Sequence, residues 1–550
     1  MRNQGAGDRE IGWWNGKSIP ETGEDAIHKA ILQVTSPIFL VDDMEGRYAV
    51  SREGSASIHS MKNQTTGDYR LLAYVPPLHP KDLGEKRFKL THGLKYPYVC
   101  GAMANGITSV DMVEKAGKAG MVGFFGAGGL SLTKIEEAVH DLKNRMGELP
   151  FGFNLIHSPG DPAHEAAVVN LYLNNDINLI SASAYLNLTL PLVYYRVKGI
   201  HQDSQGNILC PHKVIAKISR VEVAAKFLSP PPEKMLAQLV KDRYLTEQEA
   251  NLAKYIPVAE DMTAEADSGG HTDNRPAMAL LPTIMELRDE LAEQFKYQRV
   301  PCVGLGGGIS TPSAAAAAFA MGAAYILTGS VNQSCIEAGT STIVRKMLLE
   351  AGQADVAMAP AADMFEMGAK VQVLKRGTMF PLRASKLYDL YNRYGQYEDI
   401  PLSQRESLEK DFFKCGFHEE WENTKRYFET MDPRQIERGE KDPKHKMALV
   451  FRSYLGQSSL WAKHGDPARQ MDFQIWCGPS MGAFNQWVKG SFLDGIENRK
   501  TVTVAKNLLM GASVVLRLSM LKNQDIVLPG KVGRFLPMIE DELNTLVPDL

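Results

Sequence analysis

The chain has 550 residues, of which 44% are hydrophobic and 23% charged, a composition of folded globular proteins rather than disordered or fibrous ones. The formal net charge of −3 gives no electrostatic bias toward nucleic acid or membranes, and neither is expected as a partner. Six scattered cysteines form no C-x-x-C pair and no metal-ligand spacing, so reduced thiols, a cytoplasmic location and no metal site are expected.

Residues 1–87 open with Met1-Arg-Asn-Gln-Gly5, which lacks the apolar run of a signal peptide. Gly12-Trp-Trp-Asn-Gly16 and short apolar runs such as Ile38–Val41 and Leu71–Val75 follow, separated by glycine and polar clusters. They predict a small N-terminal β-containing region whose tryptophans are packing anchors. From Tyr98 the pattern alternates between strand and helix. Strands are predicted at Tyr98–Met103, Met121–Phe125, Phe151–Leu155, Leu179–Ser183, Val214–Ile218, Met262–Ala266, Pro301–Leu305 and Tyr325–Thr328. Helical patterns at 109–119 and 133–146 separate the first three. Such alternation predicts an α/β fold, a (β/α)8 TIM barrel over residues 88–355.

Between the fifth and sixth strands the spacing lengthens. Residues 230–256 read as helical, with Thr246-Glu-Gln-Glu249 as a capping box, and form either an inserted arm or one long connecting helix. Thr311 to Asn332, the only long uncharged run, is alanine-rich and broken by Gly322 and Gly329, which suits a buried helix and strand rather than a membrane span. Ser334–Ala351 reads as the last barrel helix. Residues 356–550 are expected to form a mainly helical substrate-binding or lid domain over the barrel mouth. Within it, Ser403-Gln-Arg-Glu406 reads as a capping box opening a helix that ends near Glu429, and 433–445 as a polar linker.

Side chains at the C-terminal ends of barrel strands face the active site. That rule selects Gly101, Ala102 and Met103, then Asn154, Ser183 and Lys217. It continues with Asp267 to His271, including Gly269 and Gly270, then Gly306, Gly307 and Gly308, and finally Gly329 and Ser330. The last two strands each empty into glycines before a helix, the form of a phosphate site. Gly304-x-Gly306-x-x-Ile309 fails as a dinucleotide fingerprint at its last position. No Ser/His/Asp triad, H-E-x-x-H motif or Cys/His cluster accompanies these residues, so a ligand that brings its own chemistry is the economical reading. His271 can exchange a proton near neutral pH. Asn154 alternatively caps a strand end, and Lys217 alternatively reaches solvent.

Asp267-Ser-Gly-Gly-His-Thr-Asp-Asn-Arg-Pro276, Gly306-Gly-Gly-Ile-Ser-Thr-Pro312 and Thr328-Gly-Ser330 resemble the FMN-dependent nitronate monooxygenase (2-nitropropane dioxygenase) superfamily. Lys213-Val-Ile-Ala-Lys-Ile-Ser-Arg220, Gln474-Ile-Trp-Cys-Gly-Pro479 and Gly482-Ala-Phe-Asn-Gln-Trp487 resemble one branch of it, the trans-acting enoyl reductases of polyunsaturated fatty acid and trans-acyltransferase polyketide synthases. The resemblance implies FMN in the barrel mouth, NADPH or NADH as electron donor, and reduction of enoyl thioesters carried on the phosphopantetheine of an acyl carrier protein. It implies a synthase assembly as partner and leaves a homo-oligomer open. His271 would donate the proton to the α-carbon or polarise the thioester carbonyl, and Lys217 would offset charge near the flavin N1–C2 oxygen region. The selected barrel residues other than Ser183, Ser268 and His271 would hold the cofactor. A nitronate-oxidising flavoenzyme is the first rival, and a catalytically idle docking flavoprotein the second.

Ala369 to Tyr388 holds five basic residues, Lys370, Lys375, Arg376, Arg383 and Lys386, and no acidic one. It reads as a rim for an acidic carrier protein, a contact for the NADPH 2′-phosphate, or a solvated face.

Overall fold

A computed structural model describes residues 11–43, 45–57, 69–157 and 161–548. The first ten residues, on which the leader expectation falls, lie outside them. The chain gathers into two compact units, one of residues 1–98, 310–326 and 487–550, the other of residues 99–309 and 327–486.

In the first unit a six-stranded antiparallel sheet runs in the order Glu21–Thr22, Tyr48–Ser51, Ile38–Asp42, Tyr69–Val75, Gly12–Asn15, Ser55–Ser57. Ile38–Asp42 is central and wholly buried, which is why its apolar run does not alternate. Trp14 is the predicted packing anchor: it is buried, and its indole N–H donates to the Glu53 carbonyl at 2.9 Å. Helix Thr501–Lys522 is long and apolar enough to cross a membrane, and most of it is buried within the fold. On it, the buried Arg517 donates to the Gln33 and Ser36 carbonyls at 2.7 and 2.8 Å.

The second unit contains the mouth of a closed parallel barrel. Its strands are β1 (Tyr98–Cys100), β2 (Val122–Phe125), β3 (Gly152–Ile156), β4 (Leu179–Ser183), β5 (Lys213–Ile218), β6 (Asp261–Glu265), β7 (Val303–Gly306) and β8 (Ile326–Thr328). Neighbours follow chain order, and β8 closes on β1. The barrel is the predicted fold. β1 stops three residues short of the sequence expectation for a physical reason. The Met103 N–H donates to Thr108 Oγ1 at 2.9 Å, and that hydroxyl donates to the Gly101 carbonyl at 2.7 Å, so the chain turns away from the ladder.

The insertion between β5 and β6 is two short helices, Glu233–Lys241 and Glu247–Leu252, rather than one long connector. The Thr246 capping box is present, with Glu249 N donating to Thr246 Oγ1 at 3.1 Å and Thr246 N to Glu249 Oε2 at 2.7 Å. Leu236, Leu239 and Ala253 pack against Val193 and Val197 of helix Leu190–Val197, which keeps the arm on the barrel wall.

After β8 the chain departs from several expectations. The run 334–351 is helical only over Thr342–Leu349, preceded by one turn at Ser330–Gln333. Residues read as a methionine-rich apolar stretch form a hairpin, β9 (Val356–Pro360) and β10 (Lys370–Leu374), followed by helix Phe380–Arg393. The Ser403 capping box does not form; that helix starts at Leu402 after Pro401, widens into a π turn at Leu408–Phe413 and is interrupted before Phe417–Met431. The expected linker at 433–445 is helical, because Asp432 and Asp442 each cap a helix whose first residue is proline: Pro433–Lys441 and Pro443–His464. Phe380, Phe412, Trp421, Phe451 and Tyr454 build one apolar core for this helical part.

Candidate active site

A cavity of about 890 Å³ opens at the C-terminal ends of the barrel strands, within the range of small-molecule sites (~300–1,000 Å³). Of the residues selected from sequence, Gly101, Ala102, Met103, Asn154, Ser183, Lys217, Gly269, Gly270, His271, Gly306, Gly307, Gly308, Gly329 and Ser330 line it. Asp267 does not. Its carboxylate accepts from Asn274 Nδ2 at 2.7 Å and Gln372 Nε2 at 2.8 Å, and its N–H donates to the Arg275 carbonyl, so it ties the loop after β6 to β10.

The glycines divide into two kinds. At Gly307 φ is +88°, and a Cβ would lie 2.6 Å from the Ala266 carbonyl, so glycine is needed for β7 to turn against β6. At Gly269 a Cβ would strike the Cys477 backbone at 2.8–2.9 Å, so this glycine admits the segment Trp476–Gly478 rather than a ligand. At Gly308 and Gly329 a Cβ would meet nothing within 4 Å. Those two positions keep open space in the cavity wall after β7 and β8, where backbone can come close to a bound phosphate. The Ser330 hydroxyl accepts from the Gly478 N–H at 3.1 Å, which fixes the same C-terminal segment there.

Several charged groups at the wall are paired. Lys217 Nζ on β5 lies 2.6 Å from Glu265 Oε1 at the end of β6, with both side chains mostly buried. Its positive charge is therefore compensated rather than free. Arg220 grips Asp273 with Nε and Nη2 at 2.9 and 2.8 Å, and Ser219 donates to the same carboxylate at 2.5 Å. The guanidinium hydrogen bonds hold the Asp273 carboxyl down to about 2. Asn154 is buried and donates to the Ser181 carbonyl at 2.9 Å and Ser183 Oγ at 2.7 Å, which fixes its amide across β3 and β4. Beyond it, the buried Glu165 accepts from Tyr185 at 3.0 Å and from Thr189.

His271 sits beyond the barrel strand, on a two-residue strand, Gly270–His271, paired antiparallel with β10 opposite Gln372 and Val371. Its Nε2 is 3.0 Å from Asp363 Oδ1, in the loop joining β9 and β10. Partial burial opposes the imidazolium, but the hydrogen bond and charge of Asp363 outweigh it and hold the imidazole pKa above its ordinary value. The same contact lowers the Asp363 carboxyl against its own desolvation.

Sequence reasoning missed Glu265, Arg220, Asp273 and Asp363. Glu265 heads the glycine–histidine stretch and stands next to the end of the predicted strand Met262–Ala266, a signal that could have found it. Asp363 has no local signal; only the hairpin brings it to His271. The basic segment also resolves into parts. Lys370 lines the cavity, Lys375 and Arg376 lie exposed past the far end of β10, and Arg383 is drawn inward to the buried Asp472.

Residues 87–385, more than half of the chain, match the family model described as nitronate monooxygenase. The chain belongs to the nitronate monooxygenase family. Flavin dependence is typical of that family. Residues 394–473, which supply most of the helical part above the cavity, match a second model, the inserted helical domain of [acyl-carrier-protein] S-malonyltransferase. Among relatives, polyketide biosynthesis protein PksE of Bacillus subtilis is 43% identical over 478 residues, 84% of this chain and 61% of that protein. A polyunsaturated fatty acid synthase polypeptide of Thraustochytrium sp. is 42% identical over 501 residues, 90% of this chain. The chain spans about a third of the length of that polypeptide. The crystal structure of the enoyl reductase domain of MlnA, from the macrolactin biosynthesis cluster of Bacillus amyloliquefaciens, superposes with a TM-score of 0.77 at 40% identity, covering 80% of this chain and 99% of that one.

Proposed function

We propose that the chain is an FMN-dependent enoyl reductase acting in trans on α,β-unsaturated thioesters carried by an acyl carrier protein, with NAD(P)H as donor. The observation that carries this reading is the 40% identity to the MlnA enoyl reductase domain across nearly all of that domain. The match of residues 394–473 to a helical domain from an enzyme of acyl-carrier chemistry supports a carrier-bound substrate. The partner assembly is accordingly a polyketide or polyunsaturated fatty acid synthase.

The cavity wall fits FMN: Gly308 and Gly329 leave the cradle open where a side chain would fill it. In this reading residues 88–355 are the FMN-binding barrel, and the helical cover expected over 356–550 is drawn at 356–486, because 487–550 group with the other compact unit. The backbone after β7 (Gly306–Gly308) and after β8 (Gly329, Ser330) would hold the phosphate, while Gly101–Met103, Asn154 and Lys217 would flank the ring. Bound FMN would supply the hydride, taken from NAD(P)H and passed to the substrate β-carbon. Lys217 keeps a positive charge at the wall, with Glu265 setting the local net charge near zero before a ligand arrives. Asp267 and Gly269 shape the loop that carries His271. His271 holds the proton for the α-carbon: in the imidazolium both ring nitrogens are donors, and with Nε2 on Asp363 the proton to be given is on Nδ1.

Incubation with NADPH and a crotonyl-loaded carrier protein tests the reading. The expected product is the saturated acyl chain on the carrier phosphopantetheine, seen by mass. NADPH consumption with the enoyl chain unchanged would refute it. Nitronate oxidation is the second reading, favoured by the family model alone.

A further inference from the structure

We propose that Asp363, delivered by the β9–β10 hairpin, is the positioning residue that keeps His271 protonated and turned so that Nδ1–H serves the cavity. The inference rests on the proton-donor role given to His271 above.

Three layers of structure support it. First, the contact is direct: Asp363 Oδ1 lies 3.0 Å from His271 Nε2, and the same oxygen accepts from the Met364 N–H at 3.1 Å, which orients the carboxylate. Second, the two residues are 92 apart in sequence and are brought together by sheet register, His271 pairing with Val371 while β10 pairs back on β9. Third, the loop bearing Asp363 is clamped from the long helix Pro443–His464. Arg452 Nε donates to the Ala362 carbonyl at 2.9 Å, and its Nη1 meets Glu366 Oε1 at 3.2 Å. The loop is therefore held on both sides of Asp363, at the residue before it and at one three positions after it, while the Asp363 side chain itself is half exposed.

Of the remaining charges around His271, Lys370 at the start of β10 lines the same cavity, and the others are paired. Lys217 opposes the imidazolium and Glu265 favours it, and the two are paired with each other at 2.6 Å. Asp273, two residues along the same loop, is neutralised by Arg220. Asp363 is left as the group whose hydrogen bond and charge decide the protonation state. A neutral imidazole with Nε2–H still on Asp363 would present an Nδ1 lone pair, a base where the reaction needs an acid. The hairpin thus fixes both the tautomer and the charge of the group that serves the substrate.

The test uses the full chain with its flavin and reads His271 directly. Histidine labelled with ¹³C at the imidazole ε-carbon is titrated by NMR in wild type, Asp363→Asn and Asp363→Glu, with the His271 signal assigned by its loss in His271→Gln. Flavin content of each variant reports that it is folded. We expect the His271 pKa to fall in Asp363→Asn and to be largely restored in Asp363→Glu, with the basic limb of kcat/KM for enoyl reduction moving by the same amount. An unchanged His271 titration in folded Asp363→Asn overturns the inference. A fall in the pKa with no movement of the basic limb sustains the Asp363–His271 link and counts against His271 as proton donor.

Discussion

At the scale of single residues, the site separates groups that act from groups that shape. His271→Ala leaves the glycine cradle untouched, so flavin should stay bound and be reduced by NADPH at the wild-type rate. Turnover of an enoyl thioester should drop by ~10²–10⁴-fold, the usual share of a general acid. A loss below about tenfold in single-turnover kinetics would demote His271 to positioning. The pH dependence has a definite sign. The His271 pKa is raised in the folded protein, so its stabilising pairing is fully present below the unfolded value (about 6.5) and is lost as pH rises through the folded value. The Asp363 pKa is lowered, so its share is present above the unfolded carboxyl value and lost as pH falls through the folded one. Enoyl reduction should therefore decline on the alkaline side only above the ordinary imidazole pKa. The glycines give a second contrast. Gly329→Leu places a side chain in open space and should yield soluble protein with little flavin. Gly307→Ala forces a Cβ onto the Ala266 carbonyl at a positive φ and should lower the thermal transition itself. Flavin absorbance and circular dichroism on the two variants separate the effects.

At the scale of elements, what could be read from the sequence followed from periodicity and local chemistry. The eight barrel strands are short apolar runs bounded by glycines and helices, and each is found within a few residues of its expected place. The Thr246 capping box and the open glycines after β7 and β8 are local signals of the same kind. The β9–β10 hairpin was not legible. Its strands, Val-Ala-Met-Ala-Pro and Lys-Val-Gln-Val-Leu, are five residues each and are separated by nine, so no tight-turn signature joins them. Their partners are Gly270–His271 and the bridge from Val373 to Trp476, both distant in sequence. Asp363 was invisible for the same reason. The chain after Pro401 departs from expectation because proline-opened helices capped by Asp432 and Asp442 resemble polar linkers in composition. The hairpin also reassigns the basic segment. Lys370 stands at the cavity while Lys375 lies beyond the other end of β10, so their substitution should differ. Lys370→Glu should weaken turnover of a carrier-bound enoyl chain, most at low salt, and spare an enoyl-N-acetylcysteamine surrogate. Lys375→Glu should change neither. Equal loss on both substrates with Lys370→Glu would remove the carrier role from this strand.

At the scale of the whole molecule, the chain combines a unit that holds the reacting cavity with a unit whose interest is structural. In the latter, Arg517 is fully buried, and burial pushes its guanidinium down to about 10 while two carbonyls accept its N–H groups. Arg517→Met keeps the length of the side chain but removes both guanidinium hydrogen bonds, leaving the Gln33 carbonyl with only the Ser36 N–H at 3.1 Å. A destabilisation of about 1–3 kcal/mol is expected, read as a lower urea midpoint. In the former, the open glycines after β7 and β8, the His271–Asp363 pair and part of the helical region line one cavity. The measurement that bears most directly on enoyl reduction is an anaerobic pair of half-reactions followed through the flavin absorbance. NADPH should bleach the purified protein, a crotonyl thioester should then restore the colour and yield the butyryl thioester, and a nitronate added to the oxidised protein should leave it unbleached. Bleaching by the nitronate, with the crotonyl thioester unable to restore the colour, would contradict the assignment and make the chain a nitronate oxidase.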